Sequence, residues 1–321
     1  MCTAISYRSG NSHYMGRNLD LEYHYKEEVA VTCRNYPFHF RNGCILEHHY
    51  AMIGMATIAN GYPLYYEATN EHGLSAAGLN FHGNAVYQAK EGQKDNIAPF
   101  ELIPWILSQC RFVQEAKAKL QNTNLWNLPF SREYPISDLH WMISDDTDCI
   151  VVEPMLGGIV IYDNPYGVLT NNPPFPYHQH HLAEFMQLSP KQAINHFCQV
   201  TIKPYSNGMG AIGLPGDFSS ASRFVKATFV KENAMDDHDP VGQFFHLLTS
   251  VEMPRGCVCM PDERYEITQY SCCCDTKKGI YYYTTYGNRR ITAIQMANCP
   301  LDANQVITFP LQKDQDIHWE N

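Results

Sequence analysis

Cys2 stands directly behind Met1 and is the first residue whose type and place could do chemistry. Its small side chain suits removal of Met1 by a processing peptidase. Removal would leave a thiol and a free α-amine on one residue. A free α-amine ordinarily titrates near ~7.7–8.0 and a thiol near ~8.5, so one residue can supply base and nucleophile together at neutral pH. Arg17 and Asp20, in GRNLD, add a cation that can favour a thiolate and a carboxylate that can accept from a protonated amine. Each also has a plainer reading. Cys2 can be an ordinary second residue, and Arg17 with Asp20 an ion pair closing a turn.

The elements that would position these residues follow from periodicity. Thr3–Tyr7 and His13–Arg17 read as a hairpin around a Ser-Gly-Asn turn, with Cys2 on one strand and Arg17 and Asp20 near the end of the other. Further strands are expected at Glu28–Cys33, Tyr50–Ala56, Leu139–Ser144, Ile150–Glu153 and Gly158–Tyr162. Three more close the chain at Glu266–Cys272, Gly279–Thr285 and Arg290–Met296, where aromatic and β-branched residues are dense. Helices are expected at Ile97–Cys110, Val113–Leu120, His180–Leu188, Lys191–Val200, Ala221–Val230 and Val241–Val251. The alternation of strand and helix blocks, with no linker between them, fits one domain over residues 1–321 with sheets packed between helical layers. Between Asn122 and Leu139 a Pro-rich loop carries Leu125, Trp126, Leu128, Phe130, Tyr134 and Ile136. These side chains either pack down onto the body or form the apolar wall of a substrate pocket.

Composition narrows the class. The net charge of -10 and the absence of any basic run longer than two argue against binding a nucleic acid backbone. There is neither a signal-peptide pattern nor an apolar run long enough to span a membrane, so a cytoplasmic location without membrane attachment is expected. In that setting the 12 cysteines read as reduced strand and core thiols. A metal site built from Cys257, Cys259 and Cys272–Cys274 is disfavoured, since neighbouring residues on a strand face opposite ways and the usual CxxC spacing is missing.

The segments MCTAI, GRNLD, NEHGLSAAGLNFHGNA, LHWMISD, GVLTNNP, GLPGDFSSASRF and TQYSCCCDTKKGIYYY, spread nearly end to end, resemble the choloylglycine hydrolase family. That family of linear-amide hydrolases includes bile salt hydrolases and penicillin V acylases. The resemblance implies an α+β, four-layer αββα N-terminal nucleophile fold, with two largely antiparallel sheets between helical layers. It also implies a mature chain of residues 2–321, a homotetramer, and catalysis with no metal or organic cofactor. Carried over residue by residue, Cys2 matches the nucleophile, and Arg17 and Asp20 match the groups flanking its thiol and amine. Asn80 matches an oxyanion-hole side chain, Asn171 a second polar residue at the reaction centre, and Arg223 a second arginine there. GLNF around Asn80 resembles the bile salt branch, whereas penicillin V acylases tend to carry an aromatic residue at that point. The implied substrate is a small molecule, a glycine- or taurine-conjugated bile salt, in a gut bacterium. Its apolar body is expected against Leu125, Leu128, Phe130, Tyr134, Ile136 and Leu139, with Ala59 and Tyr62 as further wall residues. Penicillin V or another N-acyl amide is the alternative.

Overall fold

The computed structural model describes residues 1–235 and 238–321. In chain order the main strands begin with β1 (Cys2–Ser9), β2 (Ser12–Leu21), β3 (Glu28–Thr32), β4 (Met52–Ala59), β5 (Tyr62–Asn70) and β6 (Ser75–Asn80). They continue with β7 (Leu139–Ser144), β8 (Cys149–Met155), β9 (Gly158–Asp163) and β10 (Val168–Leu169). The last four are β11 (Ile267–Asp275), β12 (Ile280–Thr285), β13 (Asn288–Gln295) and β14 (Val306–Pro310). The helices are α1 (Leu102–Leu107), α2 (Val113–Gln121), α3 (Phe175–His181), α4 (Ser220–Asn233) and α5 (Pro240–Thr249).

Two antiparallel sheets stack face to face. The six-stranded sheet runs β10-β1-β2-β11-β12-β13, and the eight-stranded sheet β9-β8-β7-β6-β5-β4-β3-β14. Helices α4 and α5 cover the outside of the first; α1 packs on β5 and β6 of the second. The layer order is therefore αββα. One apolar core fills the space between the sheets and continues to α4 and α5. A second lies between the eight-stranded sheet and α1 and α2, around Trp105, Ile106, Trp141 and Val152. Because both faces of β1 and β2 are covered, the alternation in their sequences is weak: eight of the ten β2 residues are buried.

Several expected boundaries move. The helix expected over Ile97–Cys110 shrinks to α1, because Pro99 opens a 3-10 turn and Asp95–Ile97 instead pairs in parallel with Thr123–Leu125. The helix expected over His180–Leu188 starts earlier, at Phe175, and passes into a 3-10 turn at Leu182–Phe185. No helix forms over Lys191–Val200; that stretch is irregular and exposed. Its Ile194 and Phe197 meet no surface on the chain, and a short helix needs a buried face to persist in water. Strands β5, β6, β10 and β14 were not expected from the sequence pattern.

Candidate active site

The register of the β1–β2 hairpin decides what meets what. Cys2 pairs with Leu19 and Ala4 with Arg17, so Cys2, Arg17 and Leu19 share the face turned toward the second sheet. Thr3, Asn18 and Asp20 point the other way, into the helical layer, where Arg223 donates to Thr3 Oγ1 at 2.7 Å and Asn18 to the Leu248 carbonyl at 2.9 Å. The thiol and its flanking carboxylate thus sit on opposite faces of one sheet.

Cys2 is 2% exposed. Its N–H donates to Asn171 Oδ1 at 2.8 Å. The same oxygen accepts from Arg223 Nη2 at 2.7 Å, and Arg223 Nη1 also donates to the Cys2 carbonyl. Asn171 Nδ2 donates to the Asn80 carbonyl at 2.8 Å, which ties the end of β6 to the start of β1. Asn171 is itself held by Ser220 Oγ on its N–H and by the His178 ring at its carbonyl, at 2.8 and 2.9 Å. Arg223 lies in the first turn of α4, an unfavourable place for a cation at a helix N-terminus. It stays because Phe218 O takes its Nε and because Asp20 and Cys2 offset part of the burial that lowers its pKa.

Asp20 is fully buried. Thr268 donates to Oδ1 at 2.6 Å, and Oδ2 has no protein partner. Burial raises the pKa of this carboxyl, and Arg223 and the chain terminus pull it back. The Met1 ammonium reaches the Asp20 carbonyl at 2.6 Å and Glu266 Oε1 at 2.9 Å. On the other face, Arg17 is wholly enclosed. It donates to the Gly78 and Tyr66 carbonyls at 2.5 and 3.2 Å and leaves Nη2 without a protein acceptor. Burial works against its charge, but the electrostatic pull of Cys2, Tyr270 and Glu67 outweighs it and raises its pKa.

Above Cys2 and Arg17 opens a pocket of about 510 Å³. Asn80 stands on its rim with Oδ1 occupied by the His82 N–H at 3.0 Å, so its NH₂ end is the part left to meet a ligand. Leu128, Phe130, Tyr134, Ile136 and Leu139 line the pocket. Three expected wall residues lie elsewhere. Leu125 is buried in the second core, because Thr123–Leu125 is paired as a strand. Ala59 is buried at the end of β4 and does not reach the pocket. Tyr62 stands one layer back, its ring 5.8 Å from those of Phe100 and Phe130. Sequence reasoning missed Leu19 and Leu21, which line the pocket from the face of Arg17; the spacing 17, 19, 21 on a strand was the available signal. It also missed Leu64 and Tyr66, because β5 was not foreseen, and Phe100 in the 3-10 turn before α1.

Cys272, Cys273 and Cys274 are buried on β11, and burial raises the pKa of each. Cys257 and Cys259 are exposed in the loop before it, and Cys198 is exposed in the irregular stretch after α3, so these three are not core thiols. Among the described residues no group of three or more His, Cys, Asp or Glu side chains has the arrangement of a metal site.

A cysteine at the start of a strand, with its own nitrogen hydrogen-bonded in the site and two stacked sheets around it, defines an N-terminal nucleophile hydrolase. The profile described as linear amide C–N hydrolases, choloylglycine hydrolase family, matches residues 2–309. A bile salt hydrolase/transferase of Lactiplantibacillus plantarum is 47% identical over the whole length of both chains, and one of Clostridium perfringens 36% identical, again over both whole chains. A crystal structure of a variant of the conjugated bile acid hydrolase from Clostridium perfringens superposes with a TM-score of 0.94 at 36% identity, covering all of both chains. Penicillin V acylase from Agrobacterium tumefaciens shares the fold, with a TM-score of 0.76 at 21% identity over 97% of this chain and 92% of its own. The chain belongs to the choloylglycine hydrolase family and is a cysteine N-terminal nucleophile hydrolase acting on linear amides.

Proposed function

We propose that this enzyme cleaves the amide bond of glycine- or taurine-conjugated bile salts through a thioester on Cys2. The observation that carries the reading is the site's asymmetry. Cys2 and Arg17 form the floor of a pocket walled by Leu19, Leu21, Phe130 and Ile136, while the Cys2 nitrogen is held on the opposite side by Asn171. A rigid apolar acyl group fills the first region, and burial of its area supplies most of the binding free energy. The amine leaves toward the second.

The mature chain is residues 2–321, one domain. With Met1 removed, the α-amine of Cys2 inherits the contact to Asn171 Oδ1, and the unpartnered Asp20 Oδ2 is a nearby counter-charge for its protonated form. The thiolate, stabilised by Arg17, attacks the carbonyl carbon. Asn80 Nδ2 donates to the oxyanion that forms. The α-ammonium passes a proton to the leaving nitrogen, the C–N bond breaks, and the same amine then takes a proton from the water that cleaves the thioester. Asn171 and Arg223 act by fixing Cys2 and the end of β6. One of the two Asn171 Nδ2 hydrogens is used on the Asn80 carbonyl, and this supports Asn80 as the main side-chain oxyanion donor.

The enzyme is read as a bacterial, cytoplasmic protein; the bacterial sources of its relatives support the bacterial origin. It acts as a homotetramer. Met186, Ile194, Phe197, Val200, Tyr205 and Ile212 are large apolar side chains left exposed within residues 186–212, which supports contact between copies.

Release of glycine, taurine or 6-aminopenicillanic acid from glycocholate, taurocholate and penicillin V tests the reading, with Cys2→Ala alongside and intact mass checking the N-terminus. We expect faster turnover of the bile salts, its loss in Cys2→Ala, and active protein beginning at Cys2. Preference for penicillin V would reverse the substrate assignment and keep the mechanism. Full turnover with Met1 quantitatively retained would sink the mechanism.

A further inference from the structure

Two β-bulges, one in each sheet, bracket a single point between the sheets. On β5 the pairing with β4 slips between Met55 and Ala56, so that Tyr66 is an extra residue between Tyr65 and Glu67. The Tyr65 ring then packs in the outer core with its hydroxyl 2.7 Å from Thr32 Oγ1, while Tyr66 packs against the core between the sheets and Glu67 reaches the other sheet. On β11 the pairing with β2 slips between Thr268 and Tyr270. Thr268 stays with Asp20 on the helical side, and Tyr270 turns inward beside Arg17. Without the slips, Thr268 and Tyr270 would share a face, and Tyr66 and Glu67 would not. Their joint result is a hydrogen bond of 2.7 Å from Tyr270 Oη to Glu67 Oε2.

Glu67 is 2% exposed. Tyr281 of β12 donates to Oε1 at 2.6 Å, and the Met55 N–H donates to the same oxygen at 3.2 Å. Arg17 Nε lies 3.8 Å from Oε2. Cys272 and Cys274 of β11 and Tyr66 of β5 are further titratable neighbours. Three donors and a guanidinium converge on two oxygens, which is the arrangement of a carboxylate. Burial raises the pKa of this carboxyl, and Arg17 and the two phenols act against that.

We infer that Glu67, clamped by Tyr270 and Tyr281, is a positioning residue that fixes the Arg17 guanidinium so that its unpartnered Nη2 is left for the thiolate of Cys2. The inference rests on the reading of Cys2 as the nucleophile. Glu67 touches neither pocket nor thiol; it acts through Arg17. Its own negative charge, acting directly, would disfavour a thiolate, so the two effects have opposite signs. Losing Glu67 by charge alone would make Cys2 ionise more easily. Losing the orientation of Arg17 would make it ionise less easily.

The test is the pH dependence of Cys2 alkylation by iodoacetamide, read on the Cys2 peptide by mass spectrometry, in processed wild type, Glu67→Gln and Tyr281→Phe, with thermal melting and kcat on glycocholate in parallel. For Glu67→Gln we expect the alkylation midpoint to move up in pH, with kcat down on the order of tenfold and KM little changed, as for a small misplacement of a catalytic group. Tyr281→Phe should give a smaller shift of the same sign, and it carries the test should Glu67→Gln not fold. A midpoint that is unchanged or lowered, whatever the melting temperature does, overturns the inference and leaves Glu67 a structural residue. The alkylation readout needs no substrate, so a wrong bile salt assignment does not disturb it. Wild type whose Cys2 fails to alkylate would instead remove the nucleophile reading, and Glu67's role with it.

Discussion

Asn80 is unlike its neighbours in the site: it is exposed, and its carboxamide oxygen is tied to the His82 N–H while its NH₂ end is left for a ligand. A donor placed this way has nothing to do until negative charge develops on the acyl oxygen. Asn80→Ala should therefore lower kcat by about 10²–10³ while leaving KM and the rate of Cys2 alkylation nearly unchanged. Steady-state kinetics on glycocholate, with the alkylation rate as control, checks this; an equal loss in alkylation would mean that Asn80 supports the thiol instead. Residues near each other in sequence were the legible ones. Cys2, Arg17 and Asp20 sit on one hairpin, so their chemistry could be argued from types and spacing. Asn80, Asn171 and Arg223 could not, because an Asn near a turn or an Arg at a helix start has a common structural use; only resemblance singled them out. Glu67, Thr268 and Glu266 gave no signal, since their partners are brought in by pairing between strands far apart in the chain.

At the scale of elements, β6 shows how strand packing reaches the chemistry. Gly78 gives its carbonyl to Arg17 and stands opposite Trp141 on β7. A Cβ at Gly78 would come 3.1 Å from Trp141 Nε1, and Trp141 is packed at 1% exposure with no room to withdraw. The strand itself must shift, and the carbonyl that anchors Arg17 shifts with it. We expect Gly78→Ala to cost about 1–3 kcal/mol of stability. It should also reduce kcat on the order of tenfold through the displaced guanidinium. Gly157→Ala is the control, because its Cβ would meet nothing within 4 Å. Denaturant melts and kinetics on both variants decide it; a stability loss without a fall in kcat would separate β6 packing from the Arg17 anchor. The sequence pattern did not reveal β5 and β6. β5 contains Pro63 and the bulge at Tyr66, which breaks its alternation, and β6 (SAAGLN) is small and buried on both faces apart from its last residue. Helices α2, α4 and α5 were legible because each has a polar side or a capping residue: Asp239 accepts from the Gly242 N–H, and Ser219 from the Ser222 N–H.

At the scale of the whole molecule, the layer order was legible from the alternation of strand and helix blocks, while strand order within each sheet was not, because pairing partners carry no local signature. The layering has a consequence for acid stability. Enclosing polar side chains between layers buries two histidines whose pKa values fall to about 4, mainly through desolvation: His13, between Ser6 and Thr276, and His178, behind Asn171. A histidine with a depressed folded pKa stays neutral in the fold while the unfolded chain takes up its proton. Its contribution is complete above about pH 6.5 and is lost as pH falls toward about 4. Asp20 and Glu67 act in the opposite sense, since a raised carboxyl pKa favours the folded state as protons are added. A substitution isolates one side of this balance. His13 lies at the far end of β2 from Cys2, so His13→Gln should leave kcat near wild type. Its stability at pH 7 should fall with the loss of ring contacts, but its further loss between pH 7 and pH 4.5 should be smaller than that of wild type by about 2 kcal/mol. Urea unfolding at the two pH values measures that difference, and parallel loss in both proteins would mean that His13 already carries a proton in the fold.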